Sequence, residues 1–447
     1  MSFWKPFRGR NAPLTFGKRT LLLLALLGVV VIIWLLNASS HHILARKRYS
    51  LNDDSSPCLV LWWTDNGLGQ FDPQPNFCGY NNCFTTGDRR FLSKAKAILF
   101  YASSLQWNDL PLPRKPDQIW ALLHEESPRN VPVFMYEEIL HYFNYTSTFS
   151  RYSDFPLTTN DLPNISGIID PMYVVPVGRK NVARVNLAPI VFLQSDCFTM
   201  SARTNYVEEL MKYIRIDSYG KCLTNRKIPE SLQTNILNNL YSENITRFIS
   251  QYKFMISIEN GICEDYITEK YWRPLIAGVV PIYFGSPTIR DWEPHNRSAI
   301  YIYDYKNPKE LAKYITELDR KDTEYVKYLH HKYNQIKPVT NERLIDEIYL
   351  RPDMENIFAN FACQVLQAIW AQSPKSKMAN RMHYNCPLPI PHPAMESEPA
   401  EIGSWKELLS KASCLSKALD ELLQINRNFT QKELDDLTNY KASNELC

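Results

Sequence analysis

The sequence lacks the marks of several protein classes. Its 50 Lys and Arg residues nearly balance its 47 Asp and Glu residues, so the overall charge gives no indication of nucleic-acid binding. No internal repeat is present, which argues against a repeat array. What remains is a chain of 447 residues, long enough for two or three domains with ample cores.

Acidic residues are absent from the beginning of the chain. None precedes Asp53, whereas Lys and Arg residues stand on both sides of the apolar run Leu21–Leu36. The run is a little short of the ~20 residues that span a bilayer. Thr20, Asn37 and Ala38 extend it, and a short span suits the thinner membranes of the early secretory pathway.

This apolar run is predicted to be a transmembrane signal anchor. More positive charges precede it than follow it, which favours a cytosolic N-terminus and a luminal body. The alternative is a cleaved signal peptide, but the long charged N-terminal region and the lack of a small-x-small cleavage site count against it. The predicted organisation is a single-pass type II protein of the Golgi or endoplasmic reticulum membrane, with a cytosolic tail over 1–19, the anchor over 20–38 and a stem over 39–57.

Two further features are typical of a luminal glycoprotein. The chain has ten cysteines, and an oxidising lumen predicts disulfides, although their pairing does not follow from the sequence. An alternative is that Cys78 and Cys83 form half of a zinc site. No second pair with ligand spacing exists, so we prefer disulfides. Five N-glycosylation sequons follow the predicted anchor, at Asn144, Asn164, Asn244, Asn296 and Asn428.

From Cys58 onward the pattern is typical of an α/β protein. Near-continuous apolar runs alternate with segments of helical period, which indicates parallel sheets covered on both faces. The predicted strands are 58–63, 95–101, 119–123, 189–193, 253–258, 279–284 and 299–303, and the predicted helices include Asn205–Tyr213, Glu243–Tyr252 and Pro308–Asp319.

Two such sheets fit the length of the chain. We predict one Rossmann-like domain over 58–186 and a second, nucleotide-binding one over 187–335. Asp170–Asn186 lacks a clear period and is interpreted as the linker. Residues 336–447 are predicted to be a helical, cysteine-containing extension without a motif of assignable chemistry.

The most specific stretch is Lys253–Gly285, which reads as a strand, a polar loop, a short helix and a second strand. Ligands bind at the carboxyl ends of parallel strands. Lys270 is expected near the first turn of the helix, where free N–H groups and the helix dipole favour an anion such as a diphosphate. Glu269 beside it is suited to ribose hydroxyls. The alternative is a surface helix with an ordinary Glu–Lys pair.

The same residues resemble a known family. The segment FMISIENGICEDYITEKYWRPLIAGVVPIYFG is similar to the signature of the α-1,3-fucosyltransferases (glycosyltransferase family 10). The segments LPLPRK, HEESP, TFSRYSDFPLTT, QSDC, DSYGKC, GSPTIRDW and HYNCP resemble a divergent branch of that family, the EMI-domain protein O-fucosyltransferases. The resemblance covers about 58–390 and implies a GT-B-like fold, in which two Rossmann-like domains with parallel sheets face a cleft.

The resemblance implies an inverting reaction with GDP-fucose as the donor. A single displacement needs one general base for the acceptor hydroxyl, and Glu126 of HEESP matches the family's proposed base. Glu125 adjoins it, and two neighbouring carboxylates are expected to raise one pKa towards the working pH. His124 is a weaker candidate for the base. The alternative role for Glu126 is a capping or loop carboxylate.

On the donor side, the resemblance implies that Arg203 and Lys270 neutralise the diphosphate and that Glu269 accepts from the ribose hydroxyls. The remaining donor-binding candidates are Ser195, Asn260 and Tyr266. Alternative roles are a helix-start ion pair for Arg203, and packing or loop hydrogen bonding for Tyr266 and Asn260. No D-x-D motif occurs in the second domain, so we predict no obligatory metal and no cofactor beyond the co-substrate GDP-fucose.

Departures from the family pattern leave the acceptor open. Tyr152 stands where the family's acceptor-side segment has Asp, and 194–196 reads QSD instead of V-S-N. Near Cys363 a second cysteine of the branch is replaced by Leu366. The acceptor is therefore expected to be either GlcNAc of an N-glycan or a Ser/Thr hydroxyl of a folded secreted protein. The rival hypothesis is a non-catalytic glycan- or protein-binding chaperone that retains the fold.

Overall fold

The computed structural model describes residues 58–64, 78, 83–162, 164–232, 242–351, 356–371, 378–388 and 399–447. Residues 58–447 form one compact unit. The predicted tail, anchor and stem lie outside the described residues. Within the described ranges, no helix has both the length and the apolar character needed to cross a bilayer.

A first five-stranded parallel sheet has the order β2-β1-β3-β4-β5. Its strands are β1 (Cys58–Trp62), β2 (Cys83–Thr86), β3 (Ala97–Tyr101), β4 (Ile119–His124) and β5 (Tyr145–Thr148). A second five-stranded parallel sheet has the order β10-β9-β8-β6-β7. Its strands are β6 (Ile190–Gln194), β7 (Ile216–Gly220), β8 (Phe254–Ile258), β9 (Val280–Phe284) and β10 (Ile300–Tyr301).

Helices surround both sheets. In chain order they are α1 (Glu137–Leu140), α2 (Ile165–Ile169), α3 (Val177–Ala183), α4 (Arg203–Met211), α5 (Glu243–Ile249), α6 (Glu269–Ala277), α7 (Pro308–Asp319), α8 (Asp322–Lys327), α9 (His330–Tyr333), α10 (Glu342–Leu350), α11 (Ile357–Trp370), α12 (Ala400–Ile425) and α13 (Gln431–Ser443). The expectation of two parallel α/β sheets is confirmed. We call β1–β5 with their covering helices the first lobe, and β6–β10 with theirs the second lobe.

The faces of the first sheet are covered by helices from the end of the chain. Because successive strand residues point to opposite faces, Ile98 and Phe100 join one core and Leu99 joins another. Trp405 of α12 packs in the core of Ile98. Phe361 of α11 packs in the core of Leu99. The segment predicted as an extension thus supplies both covers of the first sheet.

The second sheet is covered by helices that lie near it in the chain. On one face, α4 and α7 pack against the strands, and on the other face α5 does. The segment interpreted as a linker contains α3. The buried Lys180 on α3 donates from Nζ to the carbonyl oxygens of Tyr252 at 2.8 Å and Gly278 at 2.7 Å. This segment is therefore bound to the second lobe, while the domain bounds from the sequence stay predictions.

All seven predicted strand segments contain strands, but three strands were missed. The missed strands are β2, β5 and β7, with the sequences CFTT, YTST and IDSYG. Each lies at the edge of its sheet, where polar side chains are tolerated. Ser147 of β5, for example, donates from Oγ to the Phe155 carbonyl at 2.7 Å. The absence of an apolar run hid these strands from the sequence pattern.

Four disulfides connect distant segments of the described chain: Cys78–Cys363, Cys197–Cys222, Cys263–Cys386 and Cys414–Cys447. The preference for disulfides at Cys78 and Cys83 is confirmed for Cys78 and wrong for Cys83. Cys83 is a buried residue of β2 with a free thiol, and Cys78 is bonded to a residue 285 positions away. Cys78 and Cys83 are close in the sequence but are not bonded to each other, because Cys83 lies within β2 and is buried in the sheet.

Candidate active site between the two lobes

A cavity of about 510 Å³ lies where the carboxyl ends of β4 and β6 approach each other. From the first lobe it is lined by Glu126, Arg129 and Asn130. The polar lining from the second lobe consists of Gln194, Ser195, Asp196, Lys221, Asn260, Glu269 and Arg273. Carboxyl ends of parallel strands are where α/β proteins bind ligands, so this cavity is the candidate active site.

The start of α6 is fixed by a buried carboxylate. Thr268 is the N-cap residue, and its Oγ1 accepts from the Lys270 N–H at 3.4 Å. The fully buried Glu259, which follows β8, accepts from the Thr268 N–H and from its hydroxyl, both at 2.8 Å. Thr268 thus connects the end of a central strand, through Glu259, to the first turn of the helix.

Lys270 lies in that first turn, as the sequence predicts, but acidic groups already surround it. Its Nζ lies 2.9 Å from Thr268 Oγ1, 3.2 Å from Glu269 Oε1 and 3.5 Å from Glu259 Oε2. Burial lowers the pKa of Lys270, but the two carboxylates more than offset this and hold the pKa above its usual value. Lys270 is thus a charged, internally compensated group that does not line the cavity.

Glu269 lines the cavity, and a second carboxyl group lies behind it. Burial raises the pKa of Glu269, but Lys270 and Arg273 lower it to about 2. Asp161 Oδ2 accepts from the Glu269 N–H at 3.1 Å, and burial together with the Glu269 charge raises the pKa of Asp161 to about 8. One carboxyl of the pair is therefore ionised and the other protonated at neutral pH. Asp161 was missed because nothing in its own segment marks it.

Arg203 stands at the first position of α4, and only 1% of it is exposed. Its guanidinium donates to the carbonyl oxygens of Ile258 at 3.1 Å and Asp196 at 2.8 Å. Its Nε is buried and finds no acceptor among the described residues. Arg203 thus lies directly behind the cavity wall, bound to the ends of β6 and β8.

Glu126 and Tyr266 meet across the two lobes. The Tyr266 hydroxyl donates to Glu126 Oε2 at 2.8 Å. Burial first, and then the Glu126 charge, raise the pKa of Tyr266 well above its usual value, so this phenol stays protonated. Tyr266 itself is buried and lies outside the cavity lining. The structure therefore places the Tyr266 hydroxyl against the predicted base and not in the open cavity.

The neighbours of Glu126 have different environments. Burial raises the pKa of Glu125, and the Tyr101 hydroxyl donates to its Oε1 at 2.7 Å. The expected effect of paired carboxylates falls on Glu125, where the charge of Glu126 is the smallest of the causes. His124 is fully buried, its Nδ1 lies 3.0 Å from Tyr384 Oη, and burial lowers its pKa to about 3. A neutral histidine inside the core does not line the cavity.

Ser195 and Asn260 both line the cavity, as expected for residues of the donor side. Ser195 is exposed on the loop after β6. Asn260 Oδ1 accepts from the Ser127 hydroxyl at 2.9 Å, which is a second contact between the lobes. The structure therefore brings together Glu126, Ser195, Asn260 and Glu269, and keeps Arg203, Tyr266 and Lys270 just behind them.

Two lining residues form an ion pair that sequence reasoning missed. Arg129 Nη2 of the first lobe lies 2.7 Å from Asp196 Oδ1 of the second. Arg203 Nη2 lies 3.4 Å from the other oxygen of the same carboxylate. The substitution of Asp for Asn in the QSD segment was a signal at position 196, whereas nothing marked Arg129. Both cations thus converge on one acidic side chain at the cavity wall.

The predicted glycosylation sites differ in exposure. Asn164, Asn244, Asn296 and Asn428 are exposed. Asn144 is half-buried, and its Oδ1 accepts from the Trp120 N–H at 2.9 Å and from Arg114 at 2.7 Å. All five sites stay predictions. In the part of the chain that the structure describes, no group of three or more His, Cys, Asp or Glu residues is placed to hold a metal ion.

Two parallel sheets, with three carboxylates and three cationic side chains lining the cavity between them, define an α/β protein whose cations suit an anionic ligand such as a nucleotide. Comparison with protein families identifies the class further. The model described as "Fucosyltransferase, N-terminal" matches 55–159, and the one described as "Glycosyltransferase family 10 (fucosyltransferase) C-term" matches 185–384. The chain belongs to glycosyltransferase family 10, the fucosyltransferases.

Similar curated proteins span most of the chain. Alpha-(1,3)-fucosyltransferase B of Drosophila melanogaster is 43% identical over 403 residues, covering 88% of this chain and 90% of that protein. GDP-fucose protein O-fucosyltransferase 3 of Xenopus laevis is 40% identical over 405 residues, covering 85% of this chain and 84% of that protein. The human protein of that name is 39% identical, with 85% and 82% covered. The predictions of the family and of a fucosyltransferase are confirmed.

A solved structure entitled "Crystal Structure of alpha1,3-Fucosyltransferase with GDP-fucose" also resembles the chain. It is 15% identical, and the match covers 67% of this chain and 91% of that one with a TM-score of 0.39. A TM-score of this size supports no conclusion about this chain. The description of the fold stands on the two sheets themselves.

Proposed function

We propose that this protein is an inverting fucosyltransferase that moves L-fucose from GDP-β-L-fucose to an acceptor hydroxyl, with Glu126 as the general base. The observation that supports this most directly is the contact between Glu126 of the first lobe and Tyr266 of the second, at a cavity that also exposes Glu269. A base from one lobe thus stands opposite the candidate donor site of the other. This is the arrangement of a GT-B-like enzyme with two Rossmann-like domains facing a cleft.

The geometry around Glu126 suits a single displacement. The acceptor hydroxyl must lose its proton as its oxygen attacks the anomeric carbon and GDP leaves. Tyr266 donates to Oε2 of Glu126, and no residue of the described chain hydrogen-bonds to Oε1. Oε1 is therefore the oxygen that takes the proton, while the buried phenol holds the carboxylate in a fixed orientation.

The leaving diphosphate needs positive charge at the moment the glycosidic bond breaks. Arg203 and Lys270 are proposed for this role, as the family resemblance implies. Support comes from the buried Nε of Arg203, which has no acceptor among the described residues, and from the place of Lys270 in the first turn of α6. Glu269, ionised at neutral pH, is proposed as the acceptor for the ribose hydroxyls.

For the acceptor we propose a Ser/Thr hydroxyl of a folded secreted protein. Relatives named GDP-fucose protein O-fucosyltransferase 3, at 40% identity and below, support this choice. The relative named alpha-(1,3)-fucosyltransferase B, at 43% identity, keeps GlcNAc of an N-glycan as the second candidate. Location in the Golgi or endoplasmic reticulum, with a luminal catalytic part behind a signal anchor, is proposed on the support of four disulfides.

The function is tested with the full chain in detergent, supplied with GDP-fucose and offered folded secreted domains or N-glycan acceptors. We expect fucose on a protein hydroxyl, and we expect Glu126→Gln to lower kcat by about 10²–10⁴-fold because the base is lost. The matched control is Glu137→Gln, at an exposed glutamate of the same lobe. Addition of a chelator is expected to leave the rate unchanged.

Three outcomes would contradict the proposal. If no acceptor gains fucose although GDP-fucose binds, the non-catalytic chaperone is the better description. If Glu126→Gln is as active as the wild type, another group is the base. If activity disappears with the chelator and returns with Mn²⁺, the reaction requires a metal.

A further inference from the structure

The carboxylate of Asp196 holds two arginines at the cavity wall. Arg129 Nη2 lies 2.7 Å from its Oδ1, and Arg203 Nη2 lies 3.4 Å from its Oδ2. The two arginines come from different lobes, so the pair Arg129–Asp196 connects the lobes across the mouth of the cavity. The same cavity contains Glu126 and Glu269, so this cluster lies inside the candidate active site.

The main chain around Asp196 is anchored, and its side chain is the part that can move. The disulfide Cys197–Cys222 fastens the adjacent residue to the loop after β7. The Asp196 carbonyl accepts from Arg203 at 2.8 Å, and the Cys197 carbonyl accepts from Thr204 Oγ1 at 2.8 Å. In contrast, 35% of the Asp196 side chain is exposed to solvent. A rotation about its side-chain bonds would withdraw the carboxylate from both arginines without moving the backbone, while Arg203 stays bound to the carbonyl oxygens of Asp196 and Ile258.

Both arginines have unused hydrogen-bonding capacity. The Nε atoms of Arg129 and Arg203 are buried, and neither finds an acceptor among the described residues. A buried donor without an acceptor is unfavourable, so each such donor calls for an explanation, and a ligand that supplies the acceptor is one. One carboxylate carries a single negative charge, whereas a diphosphate carries more charge and more acceptor oxygens for planar guanidinium groups.

We propose that Asp196 occupies the place of a diphosphate oxygen between Arg129 and Arg203, and that the nucleotide diphosphate binds by displacing this carboxylate. The inference rests on the proposed function, because it takes GDP-fucose as the donor. No covalent bond changes in this step: one ion pair is exchanged for another. Arg129 is then a donor-binding residue contributed by the lobe that also carries Glu126.

Asp196 and Arg129 should have opposite effects on the affinity for the diphosphate. Like charges repel, so Asp196 opposes the diphosphate as long as it stays between the arginines. Once rotated, the carboxylate enters solvent at little cost because it is already partly exposed. Asp196 therefore weakens diphosphate binding, whereas Arg129 strengthens it. A residue that merely supported the fold would weaken binding in both cases when replaced.

The test is calorimetric binding of GDP and of guanosine to the full chain and its variants. For Asp196→Asn we expect GDP to bind about 3–10-fold more tightly, and for Arg129→Gln about tenfold more weakly. Guanosine, which has no phosphate, is expected to bind all forms equally and also reports that the variants are folded. The matched control is Asp109→Asn. It breaks another Arg–Asp ion pair, Arg89–Asp109, which lies on the surface with 2.7 Å between Nη2 and Oδ2.

Each result distinguishes the inference from the function on which it rests. If Asp196→Asn leaves GDP affinity unchanged or lowers it, or if Arg129→Gln has no effect, the displacement is wrong while the donor assignment stands. If both variants shift GDP and guanosine by the same factor, the residues support the fold and the inference is overturned. If the wild-type chain does not bind GDP, the proposed donor fails and this inference fails with it.

Discussion

The two lobes build their parts of the site in different ways. In the second lobe, one continuous segment supplies the strand β8, the cap of Glu259 and Thr268, and the helix α6 with Glu269. In the first lobe, Glu126 follows β4, but the sheet beneath it is covered by α11 and α12, which come from the end of the chain. The part of the proposed donor site around Glu269 is therefore locally encoded, whereas the platform for the proposed base is assembled from remote segments.

The largest effect is expected from the compact network of the second lobe. Lys270→Met leaves the buried carboxylate of Glu259 without its cation and leaves Glu269 with Arg273 alone, and it should lower the free energy of unfolding by about 3 kcal/mol. Donor binding should weaken as well. Denaturant unfolding and GDP titration measure the two effects. The control Lys212→Met breaks an exposed pair with Glu209 and should change little. An unaltered unfolding curve for Lys270→Met would show that the network does not stabilise this lobe.

The second lobe also contains two buried histidines, His295 and His331, which should make its stability depend on pH. His295 Nε2 lies 3.1 Å from His331 Nδ1, and His331 Nε2 lies 3.3 Å from the Leu275 carbonyl oxygen of α6. Burial lowers the pKa of His295 to about 4 and that of His331 well below its usual value. Because both stay neutral when folded, the unfolded chain takes up protons first as the pH falls below about 6.5.

This contribution to stability is therefore present above pH ~6.5 and is lost as the pH falls towards about 4, by up to about 1.4 kcal/mol per pH unit for each histidine. Melting temperatures between pH 7 and 4 should fall less steeply for His331→Gln than for the wild type. The exposed His141, on the first lobe, provides the control, and His141→Gln should keep the wild-type slope. Equal slopes for all three proteins would contradict the assignment.

The smallest effect is expected at the cover of the first lobe. Thr430 Oγ1 accepts from the Glu433 N–H at 3.2 Å, and the Glu433 carboxylate accepts from the Thr430 N–H at 2.8 Å, which makes a capping box for α13. Thr430→Ala should cost about 1 kcal/mol and leave GDP binding unchanged. The change also removes the sequon of Asn428, so Asn428→Gln is measured beside it. Weaker GDP binding in Thr430→Ala would show that the lobes are coupled more tightly than we describe.

The difference between local patterns and contacts made by folding also explains which strands could be predicted from the sequence. The apolar inner strands such as β3 and β8 are buried on both faces, and a continuous apolar run predicts them. The edge strands β2, β5 and β7 were missed because they carry polar side chains, which in β5 and β7 are satisfied by local hydrogen bonds. A run of residue types does not encode those partners.

The site residues show the same difference: those within one local motif were predictable, and those brought together by folding were not. Glu269 and Lys270 stand together in one motif, and their position at the start of α6 was predictable from the strand that precedes them. Arg129 and Asp196 are distant in the chain and meet only because the lobes approach each other. The raised pKa of Glu125 likewise depends on burial, which only the folded chain determines.

The covering of the first sheet by α11 and α12 has a consequence for synthesis on the ribosome. The strands β1–β5 emerge first, yet the cover of their apolar faces stays incomplete until residues up to about Ile425 have been made. The second lobe has all its strands and its helices α4–α10 by Leu350. The first lobe is therefore begun first and completed last, and its early strands are the part of the chain most exposed to aggregation before the C-terminal helices are made.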